Sequence, residues 1–240
     1  MVINMNQNAL AISLSDSLGA EVTDCLGDII EAGIDSVMDE GLLQGVPFIS
    51  TVVSLFRIGR SIHERHQIKK LASFVDEIRR KTVEADKLEE YRQKFLSDEK
   101  KRNSELEYIM IIVDRYVSYE KPRLLAALYL AYLDGNIEWT EFTTYAEVVD
   151  RLLPTDIALL RDFRGPARIR PGSMHADILM RLSSSGILYE KSNLFNNMDK
   201  AMKLSKRLGS SLGDEYDRHE MHEFEFTHFG SQFVKIIKNT

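Results

Sequence analysis

From Leu18 to Met38 apolar side chains recur at Leu18, Val22, Cys25, Leu26, Ile29, Ile30, Ile34 and Val37, at steps of three and four residues. On a helix with about 3.6 residues per turn this spacing gathers them on one face, and Glu21, Asp24, Asp28, Glu31 and Asp35 fill the other. Such a segment is stable only when its apolar face meets another apolar surface, which commits the chain to helix-on-helix packing. Gly41 and Gly45 interrupt the pattern, and Pro47 suits the first turn of a second helix through Arg60. The two segments are predicted to form a helical hairpin.

The helical period continues well beyond this pair. From Ile62 to Glu107 the sequence is highly charged, with stripes such as Ile68, Leu71, Phe74, Val75 and Ile78, which predicts long helices burying one narrow side and leaving their charge runs as solvated faces. Further helices fit Leu106 to Val117, Leu124 to Leu133 and Ile137 to Leu153, broken at Pro122 and at Asp134-Gly135-Asn136. Beyond Pro154 the pattern changes to a short helix ending at Phe163, an Arg/Gly/Pro loop and a helix from about Ser173 to Ser185. Strand-like Ile187 to Glu190 and Phe224 to Thr227 come next, then a last helix from Phe229 to Ile237; Leu194 to Leu208 reads as helical. Charge changes at the same place: residues 1 to 150 carry 17 basic and 26 acidic side chains, residues 151 to 240 carry 14 and 11. The predicted fold class is mainly α, an N-terminal helical region over 1–150 followed by a winged-helix-like α+β module over 151–240.

With 44% hydrophobic residues in 240, the chain can bury a sizeable core. A single cysteine, Cys25, excludes an internal disulfide and a cysteine-based zinc site, which suits a reducing compartment. No Lys or Arg precedes Arg57, so the positive region of a signal peptide is missing and a cytoplasmic location is expected. The most apolar stretch, Val46 to Leu55, is much shorter than the roughly 20 residues that cross a bilayer.

Candidate chemistry is sparse. Asp134-Gly135-Asn136-Ile137 followed by Glu141 has the form of the second half of a calcium-binding loop, but counting back puts Leu130 and Tyr132 where calcium needs oxygen ligands. A tight interhelical turn is expected there, with Asn136 or Asp134 capping the next helix. His219, His222 and His228, interleaved with Glu220 and Glu223, raise a zinc site and are read as surface histidines. No serine or cysteine sits on a nucleophile turn, and Gly209 to Gly213 lacks the Lys-Ser/Thr ending of a phosphate loop. No catalytic residue, metal site, cofactor or small-molecule substrate is predicted.

In the C-terminal part, the Met174 to Ser185 helix ends at Gly186, which permits a left-handed exit into Ile187-Leu188. Phe224-x-Phe226 turns into a helix that Thr227 would cap. This outlines a winged helix. Leu153-Pro154-x-Asp156-x-x-Leu159-Leu160, then Leu182-x-x-x-Gly186-Ile187, then Thr227-x-x-Gly230-x-x-Phe233 resemble the C-terminal half of Abi-alpha-type abortive-infection proteins. The resemblance implies a bacterial or phage-conflict setting and brings no catalytic residues. The turn Asp134-Gly135-x-Ile137-x-x-x-Glu141 is similar to the helical hairpin of TerB-like domains, a family in which acidic residues beside such turns are associated with metal.

The function expected from these features is that of a non-enzymatic binding or regulatory protein in bacterial defence, acting through protein contacts or self-association. One alternative is a DNA-binding regulator, for which Arg161, Arg164, Arg168, Arg170 and Arg181 supply phosphate and guanine contacts around the helix that opens near Met174. The other is a membrane-active effector using residues 41–59, where Phe48, Val52 and Phe56 form a hydrophobic interface. The first expectation for this apolar segment is burial against the protein's own helix over 18–38 and the region after Leu106, or in a homo-oligomer.

Overall fold

A computed structural model describes residues 9–33, 36–37, 40–56, 61–82, 85–163, 167–169, 175–191 and 222–238. The protein is mainly α-helical, and its chain divides into two compact units, Met1–Asp150 with Thr240, and Arg151–Asn239.

The first unit comprises α1 (Ala9–Asp16), a 3-10 turn (Ala20–Val22), α2 (Thr23–Glu31), α3 (Glu40–Gln44), α4 (Pro47–Phe56), α5 (Ile62–Lys81), α6 (Ala85–Leu96), α7 (Glu99–Arg115), α8 (Glu120–Leu133) and α9 (Trp139–Arg151). Its centre is α8, where Lys121, Pro122 and every residue from Leu124 to Ala131 are buried. A helix apolar on all sides belongs inside a core, and α5 lies along it. On α5 the whole run Lys70 to Val75 is buried, so this helix is central, whereas the sequence pattern suggested one narrow buried side. The correction has a physical reason. Lys70 extends its stem through the core and donates from Nζ to the Asp114 and Tyr116 carbonyls at 2.8 and 2.9 Å, satisfying the end of α7. Lys121 likewise donates to the Asp150 carbonyl near the end of α9 (2.7 Å).

The N-terminal pairing also differs from the expected hairpin. α2 packs chiefly on α5, and α4 packs chiefly on α1, a helix that the periodicity did not reveal. Leu10, Ala11 and Leu14 of α1 are buried, and two polar groups hold it in place. Asn103 Oδ1 accepts from the Ala11 N–H (2.9 Å), and Ser17 Oγ accepts from the Phe48 N–H (2.8 Å). The long helix expected over Leu18 to Met38 begins as the 3-10 turn and continues as α2 only to Glu31, yet Leu18, Val22, Leu26, Ile29 and Val37 of its apolar stripe are all buried.

The second unit comprises α10 (Pro154–Asp162), β1 (Ala167–Ile169), α11 (Ala176–Ser184), β2 (Leu188–Lys191), β3 (His222–Phe226) and α12 (His228–Ile237). Its three strands form an antiparallel sheet in the order β1-β3-β2, with Ala167 opposite Phe224 and Leu188 opposite Phe226. β1 lies inside the segment expected to be an Arg/Gly/Pro loop; three residues are too short for a period-2 signal, and pairing with β3 defines the strand. Helix α11 leaves through Gly186 at φ 79°, with the Gly186 and Ile187 N–H groups donating back to Ser183 and Leu182. Thr227 Oγ1 caps α12 by accepting from the Gly230 N–H (2.8 Å). The expected helix over Leu194 to Leu208 lies outside the described residues.

Two substitutions test this packing. A Cβ on Gly230 would lie 1.9 Å from the Ile187 carbonyl oxygen, so Gly230→Ala is expected to lower the unfolding free energy measured in urea by about 1–3 kcal/mol. Burial raises the Glu77 carboxyl above its ordinary value, with Lys81 and Arg80 pulling it part of the way back. The folded state then holds this proton more tightly than the unfolded chain, so ionisation at neutral pH opposes folding. Glu77→Gln is expected to unfold at a higher urea concentration than the wild type at pH 7. The gap should close as pH falls below about 4, where both side chains are neutral.

Candidate functional site

The turn between α8 and α9 brings the candidate site together. Gly135 adopts φ 71°, its N–H donates to the Tyr132 carbonyl and the Asn136 N–H to that of Ala131 (2.9 Å each), a double closure that reverses the chain within three residues. Glu141 Oε2 then accepts from the Glu138 N–H (2.8 Å) at the start of α9. Helix α9 thus delivers Trp139 and Phe142 onto the tyrosines of α8 and α7. Trp139 stacks on Phe142 with ring centroids 4.9 Å apart, and meets Tyr132 at 5.3 Å and Tyr108 at 5.6 Å edge-on. Phe142 also packs on Tyr129 (5.6 Å), making one continuous aromatic cluster.

A carboxylate lies within this cluster. Glu105 of α7 is 4% exposed, and its two oxygens are shared among three donors: Tyr132 OH to Oε1 (2.7 Å), Tyr129 OH to Oε2 (3.0 Å), and Arg102 Nη1 to Oε2. Burial, with the Glu105 charge beside it, drives the Tyr129 phenol well above its ordinary pKa, so the phenol remains a donor. The Arg102 guanidinium and the Lys101 ammonium also lie over the Tyr132 ring, at 5.4 and 5.7 Å from its centroid.

Above this floor, at the start of α7, an open groove of about 660 Å³ is lined by Asp98, Lys100, Lys101, Ser104, Glu105, Tyr108 and Trp139. Tyr108 and Trp139 are half-buried, and Lys100, Lys101 and Ser104 are exposed. The Asp98 side chain accepts from the Lys101 N–H (3.2 Å), capping α7. The groove sets the two aromatic rings of Tyr108 and Trp139 among five charged or polar side chains.

The residues singled out in the sequence lie elsewhere. Phe48 and Val52 are each 1% exposed, packed in the core under α1, which agrees with the expected burial of this segment within the protein and corrects the alternative of a hydrophobic interface at these two positions, with Phe56 alone of the three exposed at 52%. Arg181 is committed to structure: its guanidinium binds the buried Asp156 carboxylate at 2.6 Å, and Asp156 Oδ2 also accepts from the Leu153 N–H at the start of α10 (2.8 Å). Arg168 sits on β1 opposite Glu223, while Arg164 and Arg170 lie outside the described residues. Of the three histidines, His222 is on β3, His228 opens α12 and His219 lies outside the described residues. Among the described residues no group of three or more His, Cys, Asp or Glu could hold a metal ion. Asp134 accepts from Tyr91 OH (2.7 Å) and Lys94 (2.8 Å), and Glu141 completes the α9 cap, so both carboxylates of the half calcium loop are held by the fold. In the sequence this segment reads as a turn, and its aromatics do not stand out as a group. A signal was present in Tyr129 and Tyr132 three apart before the turn, and in Trp139 and Phe142 three apart after it.

Replacing Glu105 by Ala would leave Arg102 buried without its carboxylate. We expect a loss of about 3–5 kcal/mol in unfolding free energy, only partly recovered in Glu105→Leu combined with Arg102→Met because the Tyr129 and Tyr132 hydroxyls still lack their acceptor, as measured by urea denaturation. Equal losses in the single and double variants would show that the ion pair is not the source of the cost.

No family model, no curated protein and no solved structure matches the chain.

Proposed function

We propose that the protein is a non-enzymatic binding or regulatory protein that works through protein contacts, with the groove between α7 and α9 as its contact surface. The observation that carries this reading is the groove's construction, in which half-buried Tyr108 and Trp139 rest on a rigid aromatic floor beneath an exposed polar edge. Half-buried aromatic rings held by packing suit the role of interface anchors, because they contribute contact area at little cost in conformational entropy. The carboxylates of Asp98, Glu105 and Asp134 are each held by partners within the fold, which supports a positioning role for them. The resemblance of the C-terminal part to Abi-alpha-type proteins supports a setting in bacterial defence.

A second reading rests on a separate observation. The order α10, β1, α11, β2, β3 with β3 in the middle of the sheet is the order expected of a winged helix, which supports DNA binding by the second unit. The Asp156 partner of Arg181 weighs against it by taking up one of the arginines that reading needs. Among the described residues no helix is long and apolar enough to cross a membrane, and the burial of Phe48 and Val52 leaves the membrane-effector alternative without its main contacts.

Ser104→Arg tests the first reading, because it fills the groove from an exposed position on α7. A tagged chain crosslinked in the cells that make it is expected to retain a defined protein partner, and Ser104→Arg to release it with an unchanged melting temperature. Retention of the same partner by the variant would move the contact surface elsewhere. Submicromolar, sequence-selective duplex binding in a filter assay, abolished by Arg168→Ala with Arg170→Ala, would favour the DNA-binding reading instead.

A further inference from the structure

Resting on the groove as the contact surface, we infer that α1 regulates it: this short helix docks and undocks as a unit, and its docking holds both walls of the groove in place. Helix α1 is only two turns long. Isolated helices shorter than about 12–15 residues are marginal in water, so α1 is helical only while it is seated, and seating and folding are one event. Its first turn has no acidic side chain, and the Ala11 N–H, one of the donors that a helix start leaves open, is satisfied from α7 by Asn103 Oδ1 (2.9 Å). Two of the side chains it buries are serines, Ser13 and Ser15, so the apolar gain of docking rests on Leu10, Ala11 and Leu14. A short element with few apolar anchors belongs to the parts of a fold that open first.

Two routes lead from α1 to the groove. Asn103 is buried on α7 between Arg102 and Ser104, and its Nδ2 donates to the Glu99 carbonyl (2.7 Å). One side chain thus grips α1 with its oxygen and the first turn of α7 with its nitrogen, and that stretch of α7 carries Lys100, Lys101, Ser104 and Glu105 of the groove. The other route passes through α6, which packs chiefly on α1. From α6, Tyr91 OH donates to both Asp134 oxygens (2.7 Å each) and Lys94 Nζ donates to Oδ1 (2.8 Å), which fixes the residue that ends α8. The turn that follows delivers Trp139, and Phe95 of α6 meets the Tyr129 ring of the floor at 6.2 Å. The α7 wall and the α9 wall therefore share α1 as their remote support, and a single docking event biases both.

Trp139 is the only tryptophan in the sequence, so its emission in the full chain reports on the groove. Hydrogen exchange in low urea, below the main unfolding transition, separates local opening from global unfolding. The α1 amides are expected to exchange at least about tenfold faster than those of α8, with a weaker dependence on urea. Leu14→Ala thins the α1 seat at a buried position outside the groove lining. It is expected to speed α1 exchange about tenfold or more and to leave α8 exchange unchanged. Trp139 emission should move to longer wavelength and its quenching by acrylamide should strengthen. Asn103→Ala should act in the same way, and Ile12→Ala, on the exposed side of α1, should change neither reading. Exchange of α1 in step with α8 in the wild type would make α1 part of the global unit and overturn the inference, whether or not Leu14→Ala melts cooperatively. Faster α1 exchange in Leu14→Ala or Asn103→Ala with unchanged Trp139 emission and quenching would also overturn it, because the helix would then move without the groove. If the emission follows α1 while Ser104→Arg keeps its cellular partner, the coupling stands and the groove reading has failed. If Ser104→Arg releases the partner while the emission ignores α1, the groove reading stands and the regulation has failed.

Discussion

Burial of α8 on nearly every side is the constraint on which the first unit depends. A helix with no solvated face needs partners all round it, and those partners cannot leave their own ends unsatisfied where they come to rest against it. The chain meets this need with lysines that run through the core to reach carbonyls, Lys70 at the end of α7 and Lys121 near the end of α9. The cost appears in the titration of Lys70, whose ammonium is pushed below its ordinary pKa by burial and partly restored by Asp114. Lys70 and Lys121 therefore act as fixed hydrogen-bond donors to carbonyls at helix ends.

The same logic orders the aromatic cluster. Tyr129 is on α8, Tyr132 lies one turn later, and the Gly135 reversal returns Phe142 and Trp139 to the same rings. Two phenols would be costly there without acceptors, and Glu105 supplies one oxygen to each. Arg102 then balances the carboxylate. A polar network made necessary by packing thus becomes the rigid floor of an open groove, which links core architecture to candidate function.

Much of this was legible in the sequence where the signal is local. The helical period located α4, α5, α7, α8 and α9, and the glycine exits at Gly135 and Gly186 and the Thr227 cap are features that a few adjacent residues decide. The features that were not legible depend on distant partners. α1 is short and its stabilising contacts come from Asn103 and from α4; β1 is three residues defined by β3; Lys70 and Glu77 look like surface charges until α8 is placed beside them. The groove was hidden for a related reason, since Lys101, Tyr108 and Trp139 are spread over almost forty positions and only the turn after α8 unites them.

The glycine exits have a consequence for the order of assembly in the second unit. The Gly186 closure joins residues only a few positions apart, so α11 and the start of β2 can be shaped by local contacts alone. The β1–β3 ladder sets Ala167 opposite Phe224, and closing so long a loop carries an entropic penalty that the contacts repay only after it has formed. Loop-closure entropy in this sheet thus falls on the central strand, both of whose ladders pair residues far apart in sequence. Ile187, whose carbonyl accepts from the Thr227 N–H, depends on the same long-range closure for that bond, so the locally shaped exit of α11 and the distant strand meet at one residue.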